Sequence, residues 1–425
     1  MSISGKSSKP LLLCAAFCAF SFCILHSTFF ISRAAAQTLH LGTRTFTTTQ
    51  KTVNGTPVIH MWEAPMPTGD ISKAAGFPLL KDAQHYTVWQ PASRRDGAYN
   101  HHAALIFHDG LFYAMWANHW DGEGCPGQRI LYSTSKDARS WMPATEVFPP
   151  PGLVLEKPPG IHLAPDRWVV ADGKLYAVVY VMGAGTYPVA REVAGDGTFG
   201  EPFLLSDLPK KAALPNFMPS PSKHLILAEK INKWYKDNDT VSWWAQDTGE
   251  VPSRGVDGAR LVEPFTYRSK NGLVLLMRDS TKEDGNNSRL SNRMYVSFPD
   301  GKGIWSNAYP TDIPDAPSRA QALRLTDGRV LLVGNQIAPR FDTGHYMPRD
   351  PLTLSVSPDG ELFTKVYALR MGAPPKPVFS GITGRKLSLG FGYPSMIIHN
   401  GMIYVLYSIN KEDMAITIAP LSSIE

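Results

Sequence analysis

The stretch HDGLFYAMW, residues 108–116, decides the fold. An Asp-Gly pair leads into alternating residues of high strand propensity. Glycine is second in the pair because a two-residue hairpin needs positive φ there. The unit recurs as ADGKLYAVVY (171–180), KNGLVLLMR (270–278), TDGRVLLVGN (326–335) and HNGMIYVLYS (399–408). A degenerate copy, SKHLILAEK, occupies 222–230. Successive turns stand roughly 45 to 75 residues apart, which suits one four-stranded blade per repeat. A second unit follows in three copies: STSKDARSW ending at Trp141, SFPDGKGIW at Trp305 and SVSPDGELF at Phe363. Each is a strand, then an Asp whose side chain can tie its own loop, then an aromatic residue that can plug the space between blades.

The two repeats in phase predict an all-β chain, a β-propeller of four-stranded antiparallel blades. Six blades match the turn count, with seven as the alternative. Thr56 to Trp62 would supply a strand closing the ring, and helix should be negligible after residue 37. The proline-rich FPPPGLVLEKPPG (148–160) reads as a rigid loop between blades.

The N-terminus reads differently. Lys6 and Lys9 precede an apolar run from Leu11 to Ile31, and Ala34-Ala35-Ala36 offers a cleavage site before Gln37. That order is a secretory signal peptide over 1–36, leaving one propeller domain over 37–425 in a secreted or periplasmic protein; a retained anchor is the alternative. Cleavage removes Cys14, Cys18 and Cys23, so Cys125 is left with no partner for an intrachain disulfide. It also lowers the formal charge from +5 to about +2. That is no electrostatic footprint for nucleic acid. A monomer without a membrane partner is expected.

From Val256 to Ile416 the chain resembles the sialidase superfamily of Asp-box propellers. The resemblance is carried by VEPFTYRSKNGLVLLMRD, IPDAPSRAQALRLTDGRVLLVGNQ, RDPLTLSVSPDGELF and GYPSMIIHNGMIYVLYS, in that order, and extends more weakly back to about Tyr99. It implies an exo-acting glycosidase that releases a terminal acidic sugar. In that family three arginines clamp the sugar carboxylate, a tyrosine paired with a glutamate is the nucleophile, and an aspartate is the acid/base. Glu263 matches the tyrosine's partner, Arg278 the second arginine, Arg349 the third and Tyr393 the nucleophile. Arginine suits the clamp because its planar fork binds a carboxylate bidentately.

The departure lies in YNHHAALIFHDGLFYAMWANHWDG, residues 99–122. The place of the first arginine is held by His101, and the region of the acid/base aspartate offers Asn118, His119 and Asp121. Strand alternation puts His101 and His102 on opposite faces. His101 is expected to face the sugar and to be catalytic together with His119, while His102 supports it from behind and is counted with Asn118 among the substrate-binding residues. His108, in the turn, belongs to the opposite edge. Imidazoles beside arginines and a tyrosine also resemble propeller-fold uronate lyases, which cleave rhamnose-glucuronate or ulvan glycans by β-elimination. Under that alternative Tyr176, Tyr180, Arg167 and Arg191 become further candidates, and His162 reads as structural. A non-catalytic glycan-binding propeller is the third reading. In every case the partner is an acidic oligosaccharide or polysaccharide.

No cofactor is expected beyond the option of a structural calcium. Zinc held by His101, His119 and Asp121 would lack a ligand spacing, and KEDGNNS (282–288) lacks that of a calcium loop.

Overall fold

The computed structural model describes residues 37–424, apart from 49, 53, 153–159, 184, 219, 222–223, 282–289, 343–346, 376–377 and 380–388. The segment read as a signal peptide and KEDGNNS lie outside the described residues. Residues 36–425 make one compact unit.

The Asp-Gly and Asn-Gly pairs turn hairpins. φ is positive at both central residues of Asp109-Gly110, Asp172-Gly173 and Asn400-Gly401. This geometry matches the twist of the flanking strands. A separate hairpin, β1 (Gln37–Leu41) and β2 (Arg44–Thr48), opens the described chain, and β3 (Gln84–Trp89) follows. The first blade is β4 (Tyr99–His108), β5 (Leu111–His119), β6 (Arg129–Ser135) and β7 (Thr145–Phe148). The second is β8 (His162–Ala171), β9 (Lys174–Met182), β10 (Tyr187–Val193) and β11 (Phe203–Leu204). The third is β12 (Leu261–Ser269), β13 (Gly272–Asp279), β14 (Arg293–Ser297) and β15 (Tyr309–Pro314). The fourth is β16 (Gln321–Arg324), β17 (Val330–Gly334), β18 (Leu352–Ser357) and β19 (Lys365–Arg370). The fifth is β20 (Phe391–His399), β21 (Met402–Ile409) and β22 (Asp413–Pro420), completed by β3.

The described residues therefore form five blades, not six or seven. Helices α1 (Leu225–Asp237) and α2 (Ala245–Thr248) fill the chain between the second and third blades. The described part of SKHLILAEK is the cap and first turns of α1, not a strand. Leu227, Ala228, Ile231, Trp234 and Tyr235 share one helical face, which packs on Val169, Tyr176, Val178 and Phe203 of the second blade. The expectation of negligible helix fails at the same place. The closing strand is also different. β3 pairs antiparallel with β22, tying the N-terminal part of the chain into the last blade. Residues 56–62 instead run beside the third and fourth blades, with parallel bridges from Ile59 to Thr311 and from Trp62 to Phe363.

The Asp-box turns work as their residues suggest. Asp137 accepts from the Arg139 and Ser140 amides at 2.8 and 2.9 Å, Asp300 from Lys302 at 2.8 Å, and Asp359 from Glu361 at 2.9 Å. Phe363 is fully buried, while Trp141 and Trp305 pack partly buried against neighbouring clusters. Among the described residues no helix is long and apolar enough to cross a membrane.

Candidate active site

The site is built by one device used three times. In β4, β12 and β20, the first strands of their blades, the register breaks between His101 and Ala104, Val262 and Phe265, and Gly392 and Ser395. In each case two residues face one on the partner strand, which is a β-bulge. The first bulged residue is His102, Glu263 or Tyr393, with φ of 60, 55 and 56°. Glycine normally occupies this left-handed position, and strain of this kind costs about 1–3 kcal/mol per residue. The bulge turns a side chain out of the pleat, and here the three side chains converge.

Tyr393 Oη donates to Glu263 Oε1. Arg278 Nη1 donates to Glu263 Oε2 at 2.9 Å and to Tyr393 Oη at 2.7 Å. All three are buried, Arg278 being 6% exposed. Burial pushes the phenol well above its ordinary pKa, with Arg278 opposing and Glu263 reinforcing, so it stays protonated. Burial would raise Glu263 too, but the Arg278 charge and the Tyr393 hydrogen bond outweigh it and hold the carboxyl below its usual value. The result is a protonated phenol hydrogen-bonded to a carboxylate, with a guanidinium against both. Arg349 reaches the same ring, its Cζ 5.1 Å from the Tyr393 centroid. It donates from Nη2 to Pro317 O at 2.8 Å, and its Nη1 has no hydrogen-bond partner among the described residues.

The histidines exchange the places assigned by strand alternation. The bulge breaks the alternation, so His102, not His101, lines the cleft. His101 is fully enclosed behind it, its ring 3.9 Å from that of Tyr393 and its Nδ1 2.6 Å from Ser408 Oγ. Burial, aided by Lys411 and His102, holds His101 neutral well below its ordinary pKa. His102 Nε2 lies 3.2 Å from Glu123, and burial outweighs that carboxylate in lowering its pKa. Glu123 also pairs with Lys411, which with His102 keeps it ionised against burial.

His119 and Asn118 do not belong to the cleft. His119 Nδ1 accepts the Asp121 and Gly122 amides at 2.9 and 3.2 Å, and Nε2 donates to Pro126 O, so the ring organises its own turn. Asn118 is fully buried, bonding Gly97 O, Asn100 and Arg129. Asp121 pairs with Arg94 at 2.6 Å. Among the described residues no group of three His, Cys, Asp or Glu is placed to hold a metal ion, so the zinc grouping does not assemble. The lyase candidates are mostly structural. Tyr176 is core, Arg191 bonds Gly200 O and Val147 O, and Arg167 ties Asp166 to Thr240 and Val241. His108 pairs with Asp109 at the hairpin turn.

The cleft encloses about 380 Å³. Its walls add His162, Gln128, Glu123, Trp244, Gln246, Asp247, Arg260 and Lys411 to the residues expected from sequence. Trp244 stands 5.6 Å ring to ring from His102, and α2 supplies Gln246 and Asp247. Asp166, at the bulge of β8, accepts from Tyr235, Ser242 Oγ at 2.9 Å and the Trp243 amide at 2.8 Å, which fastens this helical segment to the second blade. Arg319 is a second surprise. It is 1% exposed, donates to Ala103 O, and lies 5.3 Å from the Tyr393 ring centre and 4.3 Å from that of Trp243. Asp315, equally buried, is pushed up to about 8 by burial although Arg278 and Arg349 oppose it.

The four-stranded blades and Asp-box turns are those of a BNR-repeat propeller. The chain is a member of the BNR repeat-like domain family, whose model matches residues 110–405. A structure titled "Sialidase" superposes with a TM-score of 0.61 at 20% identity, over 86% of this chain and 35% of that one. This chain thus spans about a third of that protein's length, and the likeness establishes the fold. The intramolecular trans-sialidase from Ruminococcus gnavus matches at TM-score 0.45 and 10% identity, over 80% of this chain and 98% of that one. A mutant Trypanosoma rangeli sialidase displaying trans-sialidase activity matches at 0.41 and 11%, over 80% and 59%. No curated protein matches the chain.

Proposed function

We propose that the protein is an exported exo-glycosidase that releases a terminal acidic sugar by double displacement at Tyr393. One observation carries this reading: the Tyr393 phenol donates to Glu263 while Arg278 bonds both. Glu263 takes the phenol proton as the oxygen attacks the anomeric carbon, and Arg278 stabilises the charge that develops between them. A neutral nucleophile suits a sugar whose anomeric centre carries a carboxylate, because an attacking carboxylate would be repelled. Arg278 and Arg349 face the cleft from two blades, and Arg349 Nη1 can donate to that carboxylate. Neutral His102 and the Trp244 ring bound the rest of the sugar.

The lyase reading needs the tyrosine as a base toward carbon. Its proton here is already directed to Glu263, which favours substitution. Proton NMR of the first-formed product from an acidic glycoside tests the proposal. Retained anomeric configuration is expected. An inverted anomer, or a product with the short-wavelength ultraviolet band of an unsaturated uronate, would contradict it.

A further inference from the structure

A second cavity, of about 820 Å³, lies between the second blade and the helical segment. Tyr180, Thr186 and Ser206 line one side, and Asn232, Lys236 and Glu250 another. Its walls mix aromatic rings, hydroxyls, an amide and charges, the mixture that holds sugars by ring contact and hydrogen bonds. One described residue lines both this cavity and the catalytic cleft: Asp247, on α2. We propose that the second cavity receives the departing glycan, and that Asp247, standing between the two spaces, donates the proton to its oxygen. The inference rests on the glycosidase reading above and adds where the leaving group goes and what protonates it.

The position is what the chemistry requires. The scissile oxygen lies between the sugar being released and the group it leaves, so its acid must stand where the two binding spaces meet. Of the carboxyls lining the cleft, Glu263 is committed to Tyr393 and Arg278, and Glu123 to Lys411 and His102. Asp247 is left, open to solvent at the rim. Although the residue is exposed, partial burial of its carboxyl raises the pKa, with Glu263 reinforcing and Arg260 and a Gln246 hydrogen bond opposing, which favours the protonated form an acid needs.

The atoms balance. The Tyr393 oxygen bonds the anomeric carbon and its proton passes to Glu263. The glycosidic C–O bond breaks with its electron pair on the leaving oxygen, which takes the Asp247 proton. Water then attacks the anomeric carbon and gives a proton to Asp247, while the tyrosine oxygen leaves and recovers its proton from Glu263. One glycoside and one water become the free sugar and the alcohol.

Asp247→Asn, compared with wild type on two substrates of the same acidic sugar, tests the assignment. With an oligosaccharide leaving group, turnover should fall by roughly 10²–10⁴-fold, the usual loss for a general acid. With an aryl group that departs without protonation, the single-turnover burst should fall far less. Azide, which needs no base, should restore steady turnover on the aryl glycoside. Equal losses on both substrates without azide rescue would overturn the role of Asp247. Ser206→Trp, which fills the second cavity, should raise KM for the oligosaccharide at least tenfold relative to KM for the aryl glycoside. Equal KM changes would overturn the cavity's role. If the wild-type protein releases sugar from neither substrate, it is the glycosidase reading itself that fails.

Discussion

Arg278 Nη1 lies 2.7 Å from Tyr393 Oη, across 115 residues of sequence and between two blades. Neither residue stands at a solvated rim, so the charge at this contact is held in a low-dielectric setting. Its strength and its vulnerability both follow from that.

Arg278→Ala should abolish turnover and also destabilise the fold, because it leaves Glu263 buried without its counter-charge. Breaking such a pair costs about 3–5 kcal/mol. An arginine at a solvated rim would instead have little effect on stability. Urea unfolding decides between the two, and an unchanged midpoint would return Arg278 to the surface. Arg278→Lys should keep more stability than alanine but little activity, since one ammonium replaces a planar fork.

Asp166→Ala should release the helical segment from the second blade. It removes the acceptor for Tyr235, Ser242 and the Trp243 amide, and strips Arg167 of its carboxylate. Loss of about 3–5 kcal/mol is expected, with faster proteolysis in residues 205–250 and weaker activity as Trp244 and Asp247 lose their support. Unchanged proteolysis would show that the helices are held by their apolar face alone.

Much of this was legible in the sequence, for physical reasons. Asp-Gly pairs announce hairpins because few residues accept two successive positive φ angles. Glu263, Arg278, Arg349 and Tyr393 could be placed because they stand, in order, where the resemblance to the sialidase superfamily implies the tyrosine's partner, two clamp arginines and the nucleophile. The choice between His101 and His102 was not legible, since alternation holds only in a regular strand and the bulge is a tertiary feature. The pattern NHH, LVE and FGY at three strand starts hints at it only once the bulges are known. Helix α1 did carry a signal: Ala228, Ile231 and Tyr235 recur at helical spacing, masked by a Leu-Ile-Leu run that resembles a strand. Glu123, Asp247 and Lys411 announce nothing, because their sharing one cleft depends on two turns and helix α2 from three parts of the chain.

Stability should fall on the acid side. Burial lowers the pKa of His101, His102 and His162, and takes His85 to about 4. The unfolded chain protonates these rings near their ordinary pKa of about 6.5 while the folded one does not. Folding free energy present above that pH is therefore lost as pH drops from about 6.5 toward 4. Glu263 and Glu123, held low when folded, add a further loss once the unfolded carboxylates protonate below about 4.3. The urea midpoint should drop between pH 7.5 and 5, and the drop should shrink in His101→Asn. A flat midpoint over that range would contradict the burial of these rings. For the same reason, His102 should give activity no acid limb at its ordinary pKa.

The most direct test of the account is covalent trapping. A fluorinated acidic-sugar donor with a good leaving group slows the second displacement more than the first, so the glycosyl-enzyme accumulates. Peptide mass spectrometry of the inactivated protein should place one sugar on Tyr393, and Glu263→Gln should form that adduct at least a hundredfold more slowly. An adduct on another residue, or inactivation of Tyr393→Phe at the wild-type rate, would contradict it.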